Sequence, residues 1–209
     1  MDDVKQFNFT CANLVFDFQG DKQLNTTMKA IEIKYWDYLD NYNNAHITQY
    51  EFLEKIFAAN GQEEHKDKVY HYWRKYEKYK RTIPTSGIII RDKNEIVVVK
   101  GYRCNVYGMP KGKHEEGETS LAAALREVRE ETGLVFTSEQ LVSLTPVLLH
   151  RTYFYTAYLE KEVTLFQNYN SNEIIDIKWV SLDEIQAQPM EYSKQVSLIA
   201  EHLLLHSGF

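Results

Sequence analysis

The strongest constraint on the fold is a change of period at Thr82-Ile83-Pro84-Thr85-Ser86-Gly87. Pro84 disfavours helical geometry at the residue before it, and the patterns on its two sides differ. Upstream, Leu24, Met28, Ile31, Tyr35, Leu39 and Tyr42 recur at spacings of three and four, which predicts an amphipathic helix. Thr48 followed by Glu51 is a capping-box signal. Tyr50, Leu53, Ile56 and Phe57 then supply an apolar face that stops at Asn60-Gly61. A third helix is expected from about Glu63 to Tyr79, with Val69, Tyr72, Trp73 and Tyr76 on one face. The apolar segment before residue 20 has no clear period and is left unassigned.

Downstream the signals are strands. Ile88–Ile90 and Ile96–Val99 flank the turn-like Asp92-Lys93-Asn94. A helix follows at Ser120–Thr132, then strands near Val147–Leu149, Thr152–Leu159 and Ile174–Val180, and a last helix over Tyr192–His206. The reading is therefore α+β. An all-helical domain (residues 1–82) precedes a domain of mixed strands and helices (residues 83–209). With 209 residues the chain has room for both.

Composition excludes several classes. Apolar residues at 44% and charged residues at 26% are ordinary for a globular chain. No apolar run approaches the roughly 18–20 residues of a membrane span, and the first residues lack signal-peptide character. Cys11 and Cys104 are the only cysteines and form no metal-spaced cluster, which fits a reducing compartment. The expectation is a soluble cytoplasmic protein with no membrane partner. The net charge of −6 does not favour nucleic acid, but the excess acid lies after residue 82.

That acid is concentrated in GKHEEGETSLAAALREVREETGL, residues 112–134. Leu121, Leu125, Val128 and Thr132 mark the buried face of a helix. Glu127, Glu130 and Glu131 stand at i, i+3 and i+4, so they share another face. Three like charges there repel one another. A hard divalent cation removes the penalty, because carboxylate oxygens are its preferred ligands, and Mg²⁺ commonly bridges such carboxylates to substrate phosphates. Arg126 is placed to hold a neighbouring carboxylate.

The spacing is also that of a known motif. Gly112, Glu118, Arg126-Glu127, Glu130-Glu131 and Gly133-Leu134 complete the Nudix box, at a chance frequency on the order of 10⁻¹⁰ per position. The resemblance implies an α/β/α sandwich around a mixed sheet over about residues 84–209. It also implies hydrolysis of a nucleoside-linked diphosphate with Mg²⁺ or Mn²⁺ as cofactor. It makes Glu127, Glu130, Glu131 and the Gly112 carbonyl metal ligands. Glu130 and Glu131 count as catalytic, and Glu118 and Arg126 organise the loop.

Flanking segments narrow the resemblance to the catalytic subunits of mRNA-decapping enzymes. Tyr79-Lys80-Arg81-Thr82-Ile83-Pro84-Thr85-Ser86-Gly87 is similar to their domain junction, and Met109-Pro110-Lys111-Gly112-Lys113 to their entry into the box. A helical domain preceding Nudix agrees as well. The resemblance implies release of 7-methyl-GDP and 5′-monophosphate RNA from capped RNA. Two other readings stand beside it: a pyrophosphatase of small nucleotides such as dinucleoside polyphosphates, and a non-catalytic cap-binding protein.

Further residues follow from the family. Glu173, in Asn172-Glu173-Ile174, matches a glutamate that serves as general base or metal ligand. Glu32, Trp36 and Asp40 share one helical stripe. An indole beside acids suits a flat cationic ring such as N7-methylguanine, and the resemblance assigns Trp36 and Asp40 to that base. Lys111 and Lys113 face the triphosphate bridge as point charges. Tyr192 stands where a second cap-contacting tyrosine would be, and is equally suited to packing. The family's last helix has a basic, RNA-binding face, whereas residues 192–209 hold only Lys194. RNA contacts are therefore expected at Lys75, Lys78, Lys80 and Arg81. The family's docking motif for an activator subunit is not clear in Phe7–Phe18, which leaves that partner open.

Overall fold

The computed structural model describes residues 7–42, 47–102, 104–171 and 173–206, with backbone alone at Asp40 and Val163. The chain divides into two compact units, Met1–Thr82 and Ile83–Phe209. Among the described residues no helix is long and apolar enough to cross a membrane.

The first unit holds α1 (Asp21–Asn41), α2 (Gln49–Ala59) and α3 (Val69–Lys80). Its core is Met28, Ile31, Phe52, Leu53, Ile56, Phe57 and Val69, each almost fully buried. The capping box at Thr48 forms as expected. Glu51 Oε2 accepts from the Thr48 N–H at 2.6 Å, and the Glu51 N–H donates to Thr48 Oγ1 at 3.2 Å. The apolar face of α2 is displaced from its sequence reading. Phe52 takes the interior place and Tyr50 is left exposed, because the buried arc is centred on the 52/53 and 56/57 pairs. Before α3, residues Glu63–Lys68 form a 3₁₀ turn instead of the first part of one helix.

The unassigned segment before α1 is an irregular strap over this core. Phe7 packs edge-on against Tyr38 and Tyr42, and Phe18 stacks on Tyr72 with centroids 4.5 Å apart. Polar side chains hold its backbone. Asn60 accepts from the Cys11 N–H at 2.7 Å and donates to the Phe9 carbonyl at 2.9 Å. Thr27 Oγ1 donates to the Val15 and Asp17 carbonyls, each at 3.2 Å.

The second unit is a mixed sheet between helices. Its strands are β1 (Thr85–Asp92), β2 (Glu95–Gly101), β3 (Lys111–Lys113), β4 (Val147–Leu149), β5 (Thr152–Tyr158) and β6 (Ile174–Ser181). Their order is β4-β5-β1-β2-β6, with β3 paired to β1. The β1/β5 pair is parallel and the rest are antiparallel.

Alternation along β1 splits the core in two. Ile88 and Ile90 face α4 (Ser120–Thr132), where Ala124 and Val128 meet them. Ile89 faces the other way, toward α5 (Leu182–Ala187) and α6 (Lys194–His206), among Leu182, Ile185, Val196 and Ile199. A strand buried on both faces reads as an unbroken apolar run, as Ile88-Ile89-Ile90 does. The α+β class and the α/β/α layering agree with expectation. The short strand β3 lies in what reads as loop. The last helix begins at Lys194, leaving Tyr192 in extended backbone.

Candidate metal and phosphate site

The site is built where β3 runs beside α4. Thr119 caps the start of α4 by accepting from the Ala122 N–H, and Gly133 ends it with φ +73°, the left-handed geometry that glycine tolerates. Packing of Ala124, Val128 and Thr132 on the sheet turns Glu127 and Glu131 toward β3, while Glu130 is exposed beside Arg126.

The β3 backbone is fastened to α4 at successive residues. The Lys111 N–H donates to Glu131 Oε2 at 2.8 Å, and the Lys113 carbonyl accepts from Arg126 Nη2 at 2.9 Å. Between them, a Cβ on Gly112 would stand 2.0 Å from the Glu127 carboxylate carbon. A side chain there would push the Glu127 carboxylate aside, because the acid lies against the bare backbone.

Arg126 organises the cluster. Its Nε and Nη2 donate to the two oxygens of Glu118, each at 2.9 Å. Its Nη1 reaches Glu127 Oε1 at 2.7 Å and Glu130 Oε2 at 3.2 Å. The bidentate arginine holds the Glu118 carboxyl below the usual range, and Glu118 in turn accepts from the Glu115 N–H and closes the loop.

Glu127 and Glu131 are both shifted upward. Burial is the main cause pushing the Glu131 carboxyl up to about 8, reinforced by the charges of Glu127 and Glu173; the Lys111 N–H and ammonium oppose it. Burial also raises Glu127. Arg126 holds it down, while Glu130 and Glu173 add to the rise.

Glu173 comes to this cluster through its loop. The Asn170 N–H donates to the Glu130 carbonyl at 2.8 Å, and the Asn170 carbonyl accepts from the N–H groups of Glu173 and Ile174. The Gln167 carbonyl lies so close to Gly133 that a Cβ there would be 1.5 Å from it. Thus Gly133 both ends α4 and lets the Glu173 loop lie on that end. Nothing in the sequence around Asn170 signals this tether.

The donor set fits a hard divalent cation. Four carboxylates share one region, two of them buried with raised affinity for a proton, and Arg126 is the guanidinium among them. Glu127, Glu130, Glu131 and the Gly112 carbonyl are the groups that would hold the ion. Among the described residues no three acidic, histidine or cysteine side chains already converge as a metal cage; Arg126 bridges Glu127 and Glu130 instead.

Other expected site residues are distributed differently. Lys111 and Lys113 flank Gly112 on β3, Lys113 being exposed. Trp36 is 45% exposed on α1. The side chain of Asp40 lies outside the described residues. Glu32, on the same stripe, is committed to α3: it accepts from Tyr76 Oη at 2.7 Å and Lys80 Nζ at 2.6 Å.

Two expectations need correction. Tyr192 is 3% exposed, packs on Tyr107 and donates its hydroxyl to Glu184 at 2.8 Å, so it is a core residue and not a ligand surface. Lys80 is half enclosed, paired with Glu32 and Glu77 at 2.6 Å each and lying over the Trp73 ring. It is a structural cation, unavailable to RNA. Lys75 pairs with Asp21 at 2.8 Å. Lys78 and Arg81 are exposed.

The model of the NUDIX domain matches residues 80–201. The chain belongs to the Nudix family. It is 29% identical to "mRNA-decapping enzyme subunit 2" of Arabidopsis thaliana over 84% of its own length, and it spans about half of that relative, 51%. Identity to "m7GpppN-mRNA hydrolase dcap-2" of Caenorhabditis elegans is 33%, covering 53% of this chain and 15% of that one. Identity to "Nudix hydrolase 25" of Arabidopsis thaliana is 29%, covering 53% of this chain and 79% of that one. The chain is therefore a Nudix hydrolase with moderate similarity to decapping subunits.

Proposed function

We propose that the protein hydrolyses the 5′ cap of mRNA, releasing 7-methyl-GDP and 5′-monophosphate RNA. The observation that carries this reading is the extent of the likeness to the plant decapping subunit. It covers 84% of the chain, so it runs beyond the Nudix domain into the helical unit. The plant relative is a subunit by name, and a relative from Schizosaccharomyces pombe is named as subunit 2 of an mRNA decapping complex, so a partner subunit belongs to the proposal, as does a cytoplasmic site of action.

On this reading, Glu127, Glu130, Glu131 and the Gly112 carbonyl would hold Mg²⁺ or Mn²⁺, which when bound would supply neutralisation of phosphate charge and a more acidic water. Glu173 accepts the proton of the attacking water at its carboxylate. Lys111 and Lys113 meet the phosphate bridge. Arg126 and Glu118 hold the loop that presents Gly112. Trp36 offers its exposed indole to the cationic base, with Asp40 assigned to the base N–H groups.

The test is RNA labelled within its cap, incubated with Mg²⁺ or Mn²⁺. Wild type should release 7-methyl-GDP, Glu130→Gln should not, and Trp36→Ala should release it slowly at low substrate. Turnover of free dinucleoside polyphosphates with none of capped RNA would shift the assignment to a small-nucleotide pyrophosphatase, the reading that the net charge of −6 favours. Cap binding without turnover in either metal would make the protein a cap-binding module.

A further inference from the structure

The helical unit carries an exposed aromatic and cationic stripe that the cap chemistry does not use. Along α3, Tyr70, Arg74 and Lys78 stand at i, i+4 and i+8, on one face. All three are exposed, Tyr70 by 56%. Arg74 lies over the Tyr70 ring at 5.7 Å. Tyr50, on α2, meets Tyr70 edge-to-face with centroids 6.1 Å apart, and is itself 39% exposed. Two tyrosines thus stand side by side at the surface, where the other exposed aromatics of the unit, Trp36 and Tyr79, lie on other stretches of sequence.

The charges separate in a telling way. Helix α3 contains Arg74, Lys75, Lys78 and Lys80 against Glu77 alone. Lys75 and Lys80 are neutralised by Asp21 and Glu32, and Glu77 is tied to Lys80. Arg74 and Lys78 make no ion pair among the described residues. The acids Glu63, Glu64 and Asp67 lie in the turn before α3. The result is a local excess of positive charge in a chain whose net charge is −6.

We propose that Tyr50, Tyr70, Arg74 and Lys78 form a stacking platform for single-stranded RNA outside the hydrolytic site. Flat π faces accept any base, and unpaired cations beside them meet the phosphates; this pairing of chemistries is what sequence-tolerant single-strand binders use. An apolar partner would gain nothing from Arg74 and Lys78, and an acidic peptide would gain little from two tyrosine faces. The platform also shifts the expected RNA contact toward Arg74 and Lys78, since Lys80 is enclosed in ion pairs and Lys75 has a surface partner in Asp21. It deepens the RNA reading above and depends on it only in that RNA is the substrate class.

The test is fluorescence anisotropy of the intact chain with a labelled, uncapped single-stranded RNA, without divalent metal so that nothing turns over. Wild type should bind with salt-dependent affinity. Tyr70→Ala should weaken binding roughly 5- to 150-fold and Tyr70→Phe should restore it. Arg74→Gln with Lys78→Gln should lower the slope of log K against log salt by about 1.4. An RNA duplex should compete poorly, since its bases are already stacked. All these side chains are exposed, and circular dichroism checks that the variants fold. The proposal is overturned if the variants bind like wild type, if Tyr70→Phe is as weak as Tyr70→Ala, if the duplex competes equally, or if uncapped RNA does not bind. The measurement involves neither cap nor cleavage. Loss of the decapping reading and loss of this platform are therefore distinguishable.

Discussion

Each unit of the protein contains a half-buried cation among acids, and the two clusters are balanced differently. In the helical unit Lys80 sits between Glu32 and Glu77, and Tyr76 donates to Glu32 as well. Every group has a partner and none faces a ligand. In the Nudix unit Arg126 serves Glu118, Glu127 and Glu130, while Glu131 and Glu173 add two further acids to the same region. The first cluster is satisfied by the protein alone. The second has more negative charge than its guanidinium can answer. A saturated ion cluster fixes a fold, whereas an over-acidic one costs stability and leaves negative charge that an added cation would offset.

The largest effect that sharpens this contrast is expected at Glu131. Glu131→Gln should lower the hydrolytic kcat by about 10³-fold, the several kcal/mol lost with a metal-holding acid. The same change should raise the melting temperature of the metal-free protein near neutral pH, because the fold keeps this carboxyl protonated up to about pH 8 while the unfolded chain ionises it, and glutamine carries no such cost. A lowered melting temperature would break the comparison. Next is Glu173→Gln. Loss of a general base should reduce kcat by about 10²–10⁴-fold with KM nearly unchanged; a change confined to KM would remove that role.

The pH dependence follows from the sign of the Glu131 shift. Its affinity for a proton is higher in the folded state, about 8 against an ordinary 4.5. The stability it contributes is therefore complete below pH 4.5 and is lost as the pH rises through about 8. Denaturant melts of metal-free protein across that window should show this decline, Glu131→Gln should flatten it, and apparent Mg²⁺ affinity should rise with pH over the same range.

The balanced cluster predicts the reverse behaviour on truncation. Lys80→Met should destabilise the helical unit by about 2–4 kcal/mol, since Glu32 and Glu77 would be left without their shared cation in a half-enclosed site. Urea midpoints measure it, and an unchanged midpoint would mean that solvent already screens the pair. The smallest effect is at the cap of α2, where Thr48→Ala should cost about 1 kcal/mol.

Local physics made much of this readable in advance. The capping box of α2, the period of α1, the apolar run of β1 and the acid spacing on α4 each depend on residues within one or two turns of one another. What escaped depends on contacts made elsewhere. Tyr50 and Phe52 both look apolar, and only the packing of α2 decides that Phe52 goes inside. The group that a side chain at 112 would displace is the Glu127 carboxylate, which lies fifteen positions away and reaches it only after α4 folds back on β3. Tyr192 resembles a ligand residue by position, but its surroundings, Tyr107 and Glu184, are set by the sheet and α5. The Asn170 tether runs through main-chain groups, which every residue carries, so no side-chain pattern could reveal it.

The strap before α1 has a consequence for the order of folding. Its anchoring bonds to Asn60 join positions 49 and 51 residues apart. Closing so long a loop costs entropy that no bond within the strap returns, so docking must wait until α1 and α2 have assembled the surface that receives it. The same accounting makes the strap the first part to detach. Its amides would exchange through a local opening shallower than the unfolding of the helices beneath, uncovering the rings of Phe52, Phe57 and Tyr72 while the helical frame stays intact.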